Sequence, residues 1–164
     1  DLGTGSGAIA VTIACQRPES RVVATDVSAQ ALRVARANAA RHHCDSRIEL
    51  AHGSWYEPVG ARRFDVIVSN PPYVAAGDPH LGKGDLRFEP QQALTDGSRD
   101  GLDSIRAIVG GAADHLKKGG WLLFEHGYDQ AEAVHALLES AGFGSIVSLP
   151  DLAGIPRVAG GKIS

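Results

Sequence analysis

Apolar and polar positions along the chain follow two periods. Four short runs, at 21–26, 47–52, 64–70 and 121–125, are apolar at nearly every residue or at alternate residues and read as strands. Between them apolar residues recur at helical spacing. A first helix is predicted at about 7–16 and ended by Pro18, and a second is capped by Ser28 and presents Ala31, Leu32, Ala35 and Ala39 on one face. A third carries Leu102, Ile105, Ile108, Val109, Ala112 and Leu116, with Lys117-Lys118 set against the negative end of its dipole and Gly119-Gly120 stopping it. The last carries Ala131, Val134, Leu138 and Ala141 and is closed by Gly142. Two more strands, 145–150 and 157–163, surround the turn Gly154-Ile155-Pro156. Strands alternating with helices predict an α/β architecture, a largely parallel sheet with helices on both faces. The segment 75–99 breaks the pattern with prolines, glycines, aspartates and little periodicity. Loops of that length in a compact domain are usually functional, and this one should flank the mouth of a site.

Composition narrows the setting. At 164 residues the chain is expected to form one domain, residues 1–164, with a core of useful size. A net charge of −3 and 21% charged residues match an ordinary soluble protein and give no basic surface for nucleic acid. No apolar stretch approaches the ~18 residues that span a bilayer. Cys15 and Cys44 lack a CxxC spacing, so a reduced, cytoplasmic setting is the simpler reading. None of the seven histidines has a partner at HxxxH spacing, His42-His43 reads as a solvated helix end, and no metal is expected. Arginines outnumber lysines twelve to four and alanine is abundant, which reads as GC-rich codon bias. The chain has no methionine and opens at the last residues of what reads as a first strand, so a piece of a longer protein is expected.

Two motifs carry chemistry. The chain opens Asp1-Leu2-Gly3-Thr4-Gly5-Ser6-Gly7, where alternate glycines let a strand turn tightly into a helix and let backbone N–H groups approach a ligand. Asp26 ends the next strand, where an acid suits the two hydroxyls of a ribose. Gly3, Gly5 and Ala8 also satisfy the dinucleotide fingerprint, so the glycines alone leave a dehydrogenase open. The second motif is Asn70-Pro71-Pro72-Tyr73, directly after the strand at 64–70. Neither proline has an N–H and both fix φ near −65°, which leaves the carbonyls of Asn70 and Pro71 free to accept from an NH₂ group, with the Tyr73 ring to hold it. Hydride transfer has no use for such an acceptor, whereas methyl transfer from S-adenosylmethionine to an amide or amine does.

With these residues, with Asp78–Pro90 and with Glu125-His126-Gly127, the chain closely resembles the HemK/PrmC family of N(5)-glutamine methyltransferases, which modify peptide chain release factors. Asn-Pro-Pro-Tyr is shared by many amino-group methyltransferases; the stretch Asp78–Pro90 is narrower. The resemblance implies the Rossmann-like, seven-stranded class I methyltransferase fold, with the first strand truncated and a terminal hairpin inserting one antiparallel strand. It also implies an N-terminal helical domain that is absent here. The cofactor would be S-adenosylmethionine, its amino-acid end wrapped by Gly3, Thr4, Gly5, Ser6 and Gly7, its amino group near Asp1, its ribose on Asp26, and its adenine beside Trp55. Asn70, Pro71, Pro72 and Tyr73 would bind the acceptor, with Asn70, Pro71 and Tyr73 acting in catalysis and Asn70 bordering the cofactor. The acceptor would be the glutamine of a Gly-Gly-Gln motif in release factors, with no nucleic acid or membrane partner and a monomeric state. His126 reads as a structural bystander. Two alternatives remain, a nucleic-acid exocyclic amino methyltransferase and a ribosomal-protein glutamine methyltransferase.

Overall fold

The computed structural model describes residues 1–79 and 90–164; most of the Asp78–Pro90 stretch singled out above lies outside the described residues. The described chain forms six strands, five α-helices and two short 3₁₀ turns. It divides into two compact units, one of Asp1–Arg62 with Ile67–Ser69, the other of Arg63–Val66 with Asn70–Ser164.

In the first unit, α1 (Ala8–Gln16) leads to β1 (Val22–Asp26), α2 (Ala29–Arg41) and β2 (Ile48–His52). β1 and β2 pair in parallel from Val22 opposite Ile48 to Asp26 opposite His52. Leu2 bridges in parallel to both Thr25 and Ser69, so this one residue stands between β1 and the end of β3 (Phe64–Ser69), where a central strand would run. Its N–H donates to the Val68 carbonyl (2.9 Å), and the Ser69 hydroxyl donates to its own carbonyl (2.7 Å). The core is built of small side chains, Ala10 and Ala14 of α1, Ala24 of β1 and Ala39 of α2 around Val11, Val22 and Cys44. Small residues let both helices lie close to the strands. α2 begins as its sequence predicts, with the Ser28 hydroxyl accepting from the Ala31 N–H at 3.2 Å, and it buries Leu32, Ala35 and Ala39.

The second unit holds α3 (Gln91–Leu94), α4 (Asp103–His115), β4 (Leu116–Glu125), α5 (Ala131–Ser140), β5 (Gly144–Pro150) and β6 (Pro156–Lys162). The strand order is β3-β4-β6-β5, and β6 runs antiparallel to both neighbours, the arrangement expected of the terminal hairpin. Ile105, Ile108, Val109 and Ala112 of α4, Leu122 and Phe124 of β4, and Val134 and Leu138 of α5 are buried.

One boundary departs from the sequence reading. The helix ends at His115, and Leu116 through Glu125 form a single strand, so Lys117 and Lys118 do not cap a helix and Gly119-Gly120 lie inside the strand. The guanidinium of Arg63 takes the cap's place, donating to the carbonyls of Leu116 (2.9 Å) and Ala113 (3.4 Å). Lys117 reaches the Asp65 carboxylate instead, at 2.9 and 3.0 Å. The glycines continue the sheet: the Gly119 N–H donates to Ile163, and the Ile163 N–H donates to Gly120.

Candidate active site

In the first unit the glycine loop turns from Leu2 into α1. Gly3, Gly5 and Gly7 all have positive φ, at 65°, 57° and 82°. At Gly7 the requirement is double, because a Cβ there would also lie 3.0 Å from the Ala35 methyl of α2. Thr4 is buried, and its hydroxyl donates to Asp1 Oδ2, which also accepts from the Ala10 N–H at 3.1 Å. Asp1 Oδ1 is buried and has no hydrogen-bond partner among the described residues. Ser6 is exposed, and its carbonyl accepts from Asn38 Nδ2 at 2.9 Å. The Asp26 carboxylate accepts from the Gly5 N–H (2.8 Å) and the Ser28 N–H (2.7 Å), tying the loop to the end of β1. Trp55 is half-buried with φ 41°, and its carbonyl accepts from the Thr25 hydroxyl at 3.0 Å. Its ring lies against the loop, 3.1 Å from where a Cβ on Gly3 would stand. Asp1, Gly3 through Gly7, Asp26 and Trp55 therefore surround one loop.

In the second unit a cavity of about 440 Å³ gathers the other motif. Asn70, the residue after Ser69, is exposed and lines it together with Pro71 and Tyr73. Pro71 is almost fully buried and Pro72 half-buried. Val74, then Ala75 and Asp78 from one end of the 75–99 segment and Ala93 and Leu94 from the other, also line the cavity. A second hollow of about 370 Å³, between Lys118 and Lys162, contains none of the candidate residues.

Tyr73 is tightly bound. Its hydroxyl donates to Glu125 Oε1 at 2.7 Å and accepts from Arg157 Nη2 at 3.0 Å, and the Arg157 guanidinium lies 5.4 Å from the ring centroid, a cation–π distance. Burial, with the Glu125 carboxylate adding to it, pushes the phenol up to about 12, so it is neutral at physiological pH. The Tyr73 carbonyl accepts from Gln130 Nε2 at 3.0 Å. Nearby, hydrogen bonding to the Arg106 guanidinium holds the Asp100 carboxyl down at about 2. Burial alone would raise the Asp96 carboxyl, yet hydrogen bonds from Ser98 and Ser104 bring it below its ordinary value, and the Ser104 bond caps α4 from a distance. His126 is fully buried with Nδ1 at 2.7 Å from the Gly127 carbonyl, while Nε2 has no partner among the described residues. No group of three or more His, Cys, Asp or Glu side chains among the described residues could hold a metal ion.

Glu125, Gln130, Arg157 and Gly101 are residues that sequence reasoning did not assign to this site. An acid at a strand end, a lone arginine in the last strand and an Asp-Gly pair after the long loop were the available signals, and each is too common to stand out.

The fold is that of the class I methyltransferases. It is shared with a ribosomal protein L11 methylase from Lactobacillus delbrueckii subsp. bulgaricus (TM-score 0.69, 24% identity, 100% of this chain and 67% of that one). It is shared equally with the 16S rRNA N2 G1207 methyltransferase of T. thermophilus, solved with AdoMet and guanosine (TM-score 0.69, 23% identity, 100% and 36%). The chain belongs to the methyltransferase small domain family, whose profile matches residues 1–83. Over 99% of its length it is 56% identical to the release factor glutamine methyltransferase of Neisseria gonorrhoeae, of which it covers 59%. That similarity bears out the family resemblance. The chain spans about three-fifths of the length of the curated relatives it matches.

Proposed function

We propose that the chain is the catalytic part of an enzyme that transfers a methyl group from S-adenosylmethionine to the side-chain amide nitrogen of a glutamine in peptide chain release factors. The observation that carries this reading is Asn-Pro-Pro-Tyr at the end of β3, with Asn70 exposed in a cavity and Tyr73 anchored beside it. The similarity to a release factor glutamine methyltransferase supports the choice of acceptor.

The first unit fits the cofactor. Asp1 Oδ1 is a buried acceptor left over, and a buried carboxylate oxygen without a donor is costly unless a ligand supplies one. An ammonium group on the cofactor's amino-acid end meets that need. Asp26 uses two of its roughly four lone-pair positions on Gly5 and Ser28, leaving acceptors for ribose hydroxyls. Gly3 through Gly7 present backbone at the loop, and Trp55 offers a half-exposed aromatic surface for a flat base. When bound, S-adenosylmethionine supplies a methyl group made electrophilic by its sulfonium.

An amide nitrogen is a weak nucleophile because its lone pair is delocalised into the carbonyl. Asn70 Oδ1 and the Pro71 carbonyl accept the two amide hydrogens, orienting the nitrogen, and the Tyr73 ring holds the amide plane. Alignment of this kind supplies roughly 7–11 kcal/mol in favourable intramolecular cases. Asp100, held ionised by Arg106, is a poor base, and the proton leaves after methylation has made the nitrogen acidic. The protein acts as a cytoplasmic monomer on a protein substrate, without nucleic acid or membrane; no helix among the described residues is long and apolar enough to cross a bilayer.

The test is to incubate the full-length protein with methyl-labelled S-adenosylmethionine and, separately, a release factor, the same factor with its target glutamine replaced, a ribosomal protein, and nucleic acid. Label on the intact release factor alone is expected. Label on nucleic acid or the ribosomal protein in its place would overturn the acceptor assignment.

A further inference from the structure

Resting on that reading of the acceptor site, the geometry points to Gln130 as the positioning residue of the Asn70–Tyr73 turn. Gln130 is 7% exposed, and its one amide group joins three main-chain segments. Nε2 donates to the carbonyls of Tyr73 (3.0 Å) and Asp100 (2.8 Å), and Oε1 accepts from the Gly127 N–H (2.7 Å). The orientation is set by its surroundings, since the flipped amide would turn an oxygen toward two carbonyls and an NH₂ toward an N–H.

Gly101 makes this approach possible. Its φ is +67°, and a Cβ there would lie 2.2 Å from the Tyr73 oxygen and 3.0 Å from the Ala75 nitrogen. A side chain at 101 would drive the Tyr73 carbonyl away from Gln130. The phenol end of Tyr73 is held separately by Glu125 and Arg157. Beyond Tyr73 the chain is held again, with the Val74 N–H donating to Leu94 (2.9 Å) and the Ala76 N–H to Ser98 (2.7 Å).

The prolines carry this anchorage back to Asn70. With φ fixed at Pro71 and Pro72, the turn has little freedom to absorb a displacement at Tyr73, so a shift of that carbonyl moves the Asn70 end as well. Gln130 also lines the cavity, but its amide is spent on Gly127, Tyr73 and Asp100, so in this scheme it acts through the turn. A buried, fully bonded side-chain amide of this kind rigidifies what it joins and is costly to leave half satisfied.

The experiment uses Gln130→Met, of similar length but unable to hydrogen-bond, in the full-length protein. Without any substrate, hydrogen exchange at the Val74 and Ala76 amides should quicken about tenfold or more, the scale of one lost hydrogen bond, while amides of β1 keep their protection. With release factor and cofactor saturating, kcat should fall roughly 10²-fold, as expected for a small misplacement of an aligned group, while the Kd for S-adenosylmethionine stays the same. Gln130→Glu, which keeps the volume and the Gly127 bond, carries the same prediction if the methionine variant does not fold. Gly101→Ala should reproduce the signature by displacing the same carbonyl. Unchanged exchange at Val74 and Ala76, or a near-normal kcat, would overturn the role of Gln130. If the wild-type protein labels a different acceptor, the acceptor reading fails, and the exchange measurement still decides for or against Gln130.

Discussion

At residue 70 the chain offers an amide on an exposed position, followed by two prolines that restrict where it can go. If Asn70 orients the acceptor nitrogen, its contribution is greatest as that nitrogen attacks, and Asn70→Ala should lower turnover far more than peptide binding. Asn70→Asp retains an acceptor but adds charge, and partial activity is expected. Single-turnover rates at saturating substrates check both, and a near-normal rate in the alanine variant would remove Asn70 from the chemistry. The Asp26 carboxylate fastens Gly5 and Ser28, and the proposed function assigns it the ribose as well. Asp26→Ala should weaken S-adenosylmethionine binding by roughly 1.5–3 kcal/mol, the range for hydrogen bonds to a charged group. Calorimetry reads this directly, and an unaltered affinity would place the ribose elsewhere. For Tyr73 the prediction concerns pH. Its phenol titrates at about 12 in the fold against an ordinary value of 10, so the unfolded chain loses this proton first as pH rises. The stability it contributes is whole below pH 10 and is lost as pH climbs toward 12. Ultraviolet titration of the wild type against Tyr73→Phe should show the missing transition near 12; a transition near 10 would mean that the phenol is not buried beside Glu125 in solution.

Among the elements, α2 shows how local chemistry specifies a helix. The Ser28 side chain meets the Ala31 N–H, the apolar face of Leu32, Ala35 and Ala39 is buried, and no tertiary partner is needed to recognise the start. Ser28→Ala should cost about 1 kcal/mol, measured by urea unfolding with an unchanged slope. The end of α4 is the opposite case. Lys117, Lys118, Gly119 and Gly120 carry every local mark of a helix C-terminus, yet the chain is already a strand at Leu116. Arg63, fifty-three residues earlier than Leu116, donates to that residue's carbonyl, and Asp65 draws Lys117 to β3. Both partners are remote in sequence, so the local pattern misplaces the boundary. The 75–99 segment was legible as an irregular loop beside the site from its lack of periodicity, and Ala75, Asp78, Ala93 and Leu94 at its described ends do line the cavity of Asn70. The short helix Gln91–Leu94 within it is too brief to leave a periodic trace.

For the molecule as a whole, a ligand that binds only the folded state stabilises it by mass action. S-adenosylmethionine at a hundred times its Kd should add about 2.7 kcal/mol to stability, seen as a rise in Tm that grows with cofactor concentration. The absence of any rise would contradict the cofactor assignment. The sequence alone determined the alternation of strands and helices, the glycine loop, Asp26 and Asn-Pro-Pro-Tyr, because each depends on a local rule: a period, a positive φ, a missing N–H. Only the tertiary structure decided that Gln130, Gly101, Glu125 and Arg157 meet at Tyr73. β6 returns antiparallel beside β4, with Glu125 opposite Val158, and this brings Arg157 to the phenol eighty-four residues away in the chain. Such convergence follows from the order of strands in a sheet, and no periodicity in the chain encodes which distant residues that order makes neighbours.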